Sequence, residues 1–176
     1  MIKFFTFSFL FGVLSAIVCF LFFIAEITLN INPLGASKAF GYVLMFAMFF
    51  PAIWYFREKQ LGGKIHFPQG LLFGSLMNFF ACLFNSLLIG LFLTQFNPQV
   101  LESHKQESKM FITSMKTDYL KTMSLEAFES GLKSLENITV GDIMWDEFYK
   151  RFLILLIFVI IASFIMRRTQ YSEEKI

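Results

Sequence analysis

Apolar residues in this chain come in long uninterrupted blocks rather than in the alternation of a half-buried strand. Phe4 to Ile24 is 21 residues without a charge, Ala39 to Phe56 is 18, and Leu71 to Leu93 is 23 with Cys82 as its sole ionisable group. A hydrocarbon core of about 30 Å needs roughly 20 apolar residues at 1.5 Å rise each, so all three blocks have the length of a membrane helix. Phe152 to Met166 gives 15 residues, about 22 Å. Lys150 and Arg151 are expected to lay their stems along the helix and hold their charges in the headgroups. Phe148 and Tyr149 then join the apolar length, and Trp145 and Tyr149 fall at the interface, where amphipathic rings concentrate. The pattern predicts an all-α integral membrane four-helix bundle. It forms one domain over 1–176, with spans at about 4–24, 39–56, 71–93 and 148–166.

Between the third and fourth blocks, about 97–147, lies the one long polar stretch, expected to be partly helical. Pro98 suits a first helical turn, since its missing N–H would have no partner there. Leu101, His104, Ser108, Phe111, Met115 and Tyr119 follow at helical spacing. Ser124 can cap a second helix carrying Leu125, Phe128 and Leu132 on one face. Thr139-Val140-Gly141-Asp142 has capping-box spacing and would start a helix running into the fourth span. Such helices are expected at the membrane surface or on the mouth of the bundle. A connection of this length is also a candidate docking surface.

Composition supports this picture. Of 176 residues, 56% are apolar and 16% charged, and 26 are Phe, against about 45–50% and 25% in globular domains. A net charge of +2 gives no reason to expect a nucleic-acid partner. The apolar length of the first block exceeds a signal-peptide core, and no small-x-small cleavage pattern follows, so it is read as a retained helix. Seven basic residues (Lys3, Arg57, Lys59, Lys64, Arg167, Arg168, Lys175) fall on the side of the termini, against Lys38 in the short first loop. By the positive-inside rule both termini are expected in the cytoplasm, with Arg57, Lys59, Arg167 and Arg168 anchoring the inner interface and Lys150 and Arg151 the outer one.

Candidate chemistry is sparse. Ser75, Asn78, Cys82 and Asn85 share one face of the third span. Amides facing lipid are costly, so this line is expected to pack against protein or to line a polar path. Gly12 and Ala16 offer a matching small-residue face on the first span. Glu26 is the carboxylate nearest a span interior and the candidate functional acid. Pro51 is expected to loosen the second span. The two histidines, His66 and His104, lie in different loops. No metal-spaced cluster, phosphate loop or zinc-protease motif occurs, so neither cofactor, metal nor enzymatic activity is expected.

Tyr55-Phe56-Arg57-Glu58-Lys59, then Gly62-Gly63-Lys64-Ile65-His66-Phe67, Gly70 and Gly74, resemble the second-to-third-span connection of a family of small four-span bacterial membrane proteins. That family is known as a domain of unknown function and occurs mainly in one group of Gram-negative bacteria. Asn97-Pro98 and the closing Arg167-Arg168 extend the likeness over nearly the whole chain. The resemblance implies a bacterial inner-membrane location and brings no activity or functional residue with it. The expected role is a non-catalytic accessory or scaffold subunit, with the bilayer and a protein partner or second copy as its contacts. A small oligomeric transporter or lipid translocator, and an envelope sensor acting through a partner, are the alternatives.

Overall fold

The computed structural model describes residues 2–168; Lys175, counted above among the basic residues, lies outside them. Seven α-helices run in order: α1 (Ile2–Thr28), α2 (Lys38–Gln60), α3 (Phe67–Leu91), α4 (Gln99–Ser114), α5 (Lys116–Tyr119), α6 (Leu125–Glu136) and α7 (Val140–Met166). Four helical stretches, 3–28, 38–60, 67–96 and 140–166, are long and apolar enough to cross a membrane. Each extends past the block read from composition, because polar ends such as Arg57–Gln60 and Val140–Glu147 continue the same helices.

The bundle is held by close approach. Between lipid-soaked helices there is little hydrophobic drive, so small residues and side-chain hydrogen bonds decide which faces meet. A Cβ on Gly12 would stand 2.7 Å from Phe80 Cβ and 2.9 Å from the Met77 carbonyl, so α1 and α3 touch almost backbone to backbone. Gly74 lets a side chain of α7 close on α3, where an added Cβ would meet Val159 Cγ1 at 2.7 Å. Ser8 donates across the α1–α3 seam to the Phe73 carbonyl at 3.2 Å, and Asn78 across the α3–α7 seam to that of Phe152 at 3.1 Å.

Aromatic rings fill what glycines leave. Phe56 stacks on Phe73 with centroids 4.4 Å apart, and Phe4 meets Phe56 edge-on at 4.7 Å. With Phe49, Met77, Leu155 and Val159, all fully buried, they seal the half of the bundle nearer the termini. Leu10, Leu14, Ile17 and Leu21 on α1, and Ile157, Ile161 and Phe164 on α7, point outward as a lipid-facing surface requires.

Local chemistry sets the ends. Gly62 and Gly63 take φ of 63° and 85°, a left-handed turn that side chains resist, and the Gly63 N–H closes on the Arg57 carbonyl at 3.0 Å. Ile65 then pairs with Arg168 through two backbone hydrogen bonds of 3.2 and 3.0 Å. The Ile65 side chain is buried in the core. Thr94 donates to the Gly90 and Leu91 carbonyls, and the last turn of the third span widens into a π-helix over Phe92–Phe96.

The polar stretch is helical as its caps suggest. Ser124 accepts from the Ala127 N–H at 3.2 Å, and Thr139 and Asp142 form the capping box that opens α7. The helix after Pro98 stops at Ser114 rather than running through Tyr119. Ser114 Oγ takes the Phe111 carbonyl at 2.7 Å, competing with the backbone ladder.

Candidate functional site: a buried charge network under a helical cover

At the end of the bundle away from the termini, α7 turns two opposite charges inward. Ile143, Glu147, Arg151, Leu155 and Val159 recur every four residues and are all buried, so the two charges lie on the stripe that faces the other helices. Arg151 Nη2 donates to Glu147 Oε2 at 2.6 Å, with side chains 6% and 3% exposed. The expectation that Arg151 reaches the headgroups is therefore corrected. Its stem is on the buried face, and a carboxylate one turn away supplies the counter-charge that water would otherwise provide.

The other helices complete the network. Lys38, at the start of α2, lies 3.2 Å from Asp146 Oδ2 and 3.7 Å from Glu147 Oε1, and Lys150 pairs with the other oxygen of Asp146. The guanidinium carbon of Arg151 sits 5.0 Å from the Tyr42 ring centroid, a cation–π contact. Gly41 lies against the same group, within van der Waals range of its Nη1 and Nη2. From α1, Cys19 points its thiol at the Gly41 carbonyl at 3.7 Å. Glu26, the candidate functional acid, is buried, close to Ser37 and within electrostatic reach of Arg151.

The polar line of α3 divides. Asn78 and Cys82 are buried and joined, the thiol lying 3.3 Å from Asn78 Oδ1, and Asn78 spends its amide on α7 as described. Asn85 is buried at the level of the charges, and neither amide atom has a partner among the described residues. Ser75 is half-buried. Among the expected anchors, Arg57 donates to the Met166 carbonyl at 3.2 Å, Lys59 is exposed, Arg167 lies over the Phe164 ring at 4.4 Å, and Arg168 is held by Ile65. Trp145 and Tyr149 are exposed on α7.

Above the network, α4 forms a cover. Leu101 is buried against Phe23, Leu34, Ile89 and Leu93. Asn32, in the α1–α2 connection, fixes its Oδ1 on the Leu34 N–H at 3.0 Å, which turns its Nδ2 to His104 Nδ1 at 3.2 Å and Glu107 Oε2 at 2.7 Å. Both amide hydrogens are thereby used, and His104 must be neutral at Nδ1 to accept one. Burial, then the neighbouring Lys38 charge, push His104 below the ordinary histidine range. A shallow hollow of about 240 Å³ beside it is lined by Asn30, Asn97, Ser103 and Glu107. Beyond this root the cover is greasy: Met110, Phe111 and Met115 at the end of α4, Leu120 and Met123 after α5, and Leu125 at the start of α6 are exposed. Only Phe128, beneath Tyr119 and Lys116, is buried within α6.

Among the described residues, no three His, Cys, Asp or Glu side chains converge as a metal-binding group requires. What the geometry defines is an apolar four-helix protein of membrane type, with a neutralised charge network inside and an amphipathic helical cover on one mouth. The chain belongs to the family described as Protein of unknown function (DUF4199), whose model matches residues 10–168. Comparison with curated proteins and with solved structures gives no match.

Proposed function

We propose that the protein is a non-catalytic accessory subunit of the bacterial inner membrane, with its termini in the cytoplasm, that docks a larger membrane protein through the far end of the α4–α6 cover. The observation that carries this reading is a run of six exposed large apolar side chains, Met110, Phe111, Met115, Leu120, Met123 and Leu125, on the helices and turns outside the four spans. Apolar surface gathered in this way marks an interaction site, and methionines adapt to irregular partners. The rest of the molecule supports a rigid platform. Glu147 and Arg151 are paired in its interior, and α4 is pinned at its root by Leu101 and by the Asn32–His104 contact.

A transport path through one copy is disfavoured by the fully buried Phe49, Phe56, Phe73, Met77, Leu155 and Val159, which leave the half of the bundle nearer the termini dry. The test is a photocrosslinking amino acid placed at Phe111 in intact cells. The reading predicts one dominant adduct with a foreign membrane protein. Crosslinks to lipid alone, or to a second copy alone, would overturn it.

A further inference from the structure

Asn85 is 1% exposed, and neither its Nδ2 nor its Oδ1 has a partner among the described residues; Arg151 Nε is a second buried donor without one. A sealed primary amide of this kind calls for an explanation, since nearly all buried polar atoms in folded proteins are hydrogen-bonded. The two groups lie at one depth. The antiparallel register of α3 and α7, fixed by Gly74 against Val159 and Gly90 against Met144, sets Asn85 level with Phe148, one turn from Arg151. An arginine on a helix leans toward the helix N-terminus, which carries its head back to that level. The parallel register of α1 and α3, fixed by Ser8 on Phe73 and Gly12 on Met77 and Ala81, brings Cys19 to the same height.

The donor set specifies the ligand. It must accept from Arg151 Nε–H and Asn85 Nδ2–H and donate to Asn85 Oδ1. A fully deprotonated anion has no hydrogen to donate. It would also unbalance a neighbourhood of three cationic side chains (Lys38, Lys150, Arg151) and three acidic ones (Glu26, Asp146, Glu147). A cation would face two donors. A small neutral molecule that both donates and accepts satisfies all three. We propose that Asn85 and Arg151 Nε bind a structural water between α1, α3 and α7, which completes the hydration of a guanidinium held inside the bundle. Ala81, Cys82 and Leu155, one turn nearer the termini along α3 and α7, are fully buried.

Two measurements on the protein in lipid nanodiscs test this. In the unmodified protein with labelled asparagine, the Asn85 side-chain amide should show a magnetisation-transfer peak at the water frequency. The near-isosteric Asn85→Leu should lower Tm by about 3–6 °C, because it strands Arg151 Nε as well as removing the amide's bonds. In an Arg151→Lys background, which has no Nε, that shift should fall by half or more. An amide peak without water transfer, an unchanged or raised Tm in Asn85→Leu, or an undiminished shift in the Arg151→Lys background would overturn the proposal.

Discussion

Glu147 and Arg151, one turn apart on α7, face inward and neutralise each other at 2.6 Å within the bundle rather than at its rim. Removing one member strands the other in a low-dielectric interior, which typically costs about 3–5 kcal/mol, whereas replacing both by apolar residues of similar volume is often tolerated. Glu147→Leu alone is therefore expected to destabilise by that amount. The double variant Glu147→Leu/Arg151→Met should recover most of it. Denaturant or thermal unfolding in mixed micelles measures both.

His104 gives the cover a dependence on pH. Its pKa in the folded protein lies below the unfolded value of about 6.5, so between the two values the unfolded state binds more protons and stability rises with pH. The docking is fully present above about 6.5, weakens as pH falls toward the folded value, and levels off below it. Lys38 opposes protonation, while Glu107, Asp146 and Glu147 favour it. Protonated His104 would also turn a donor toward the Asn32 amide. Protection factors of residues 99–107, taken relative to the intrinsic exchange rate at each pH, should fall on going from pH 7.5 to 5.5. His104→Gln, whose carbonyl can accept in place of Nδ1, should abolish that change.

The α1–α3 seam should be intolerant of size. Gly12→Ala places a Cβ against a backbone carbonyl that cannot turn aside, and overpacking of this kind costs about 1–3 kcal/mol. Gly131→Ala, on α6, meets nothing within 4 Å and should gain a few tenths to about 1 kcal/mol from helix propensity. Thermal unfolding of the two variants side by side checks the pair.

The far end of the cover should separate binding from folding. Phe111→Ser with Met115→Ser changes exposed positions only, so its stability should stay within about 0.5 kcal/mol per substitution of the parent. Its partner, on the proposed function, should be lost from a mild-detergent pull-down.

Four apolar blocks, the Gly62-Gly63 turn and the caps at Ser124 and Thr139 were legible in the sequence because each is decided locally, by length, by φ or by one hydroxyl. The polar face of α3 was legible too, since Asn78 and Asn85 can only face protein in a membrane. The charge network was not. Counting charges assigned Arg151 to the headgroups and Glu147 to the polar loop. The four-residue rhythm of Ile143, Glu147, Arg151, Leu155 and Val159, read as one buried stripe, would have placed both inside. The full burial of Glu26 was not legible either, because it depends on the α1–α2 connection and on α4 folding over the bundle mouth. Those are tertiary contacts that no local pattern announces.

The central claim, that this is a docking subunit, is tested most directly by drawing the tagged protein from native membranes in mild detergent and weighing the intact assembly by native mass spectrometry. The account predicts a stoichiometric foreign membrane protein that is absent when Phe111→Ser/Met115→Ser is the bait. A monomer or a homodimer with no other protein, recovered under conditions that preserve known complexes of the same membrane, would contradict it.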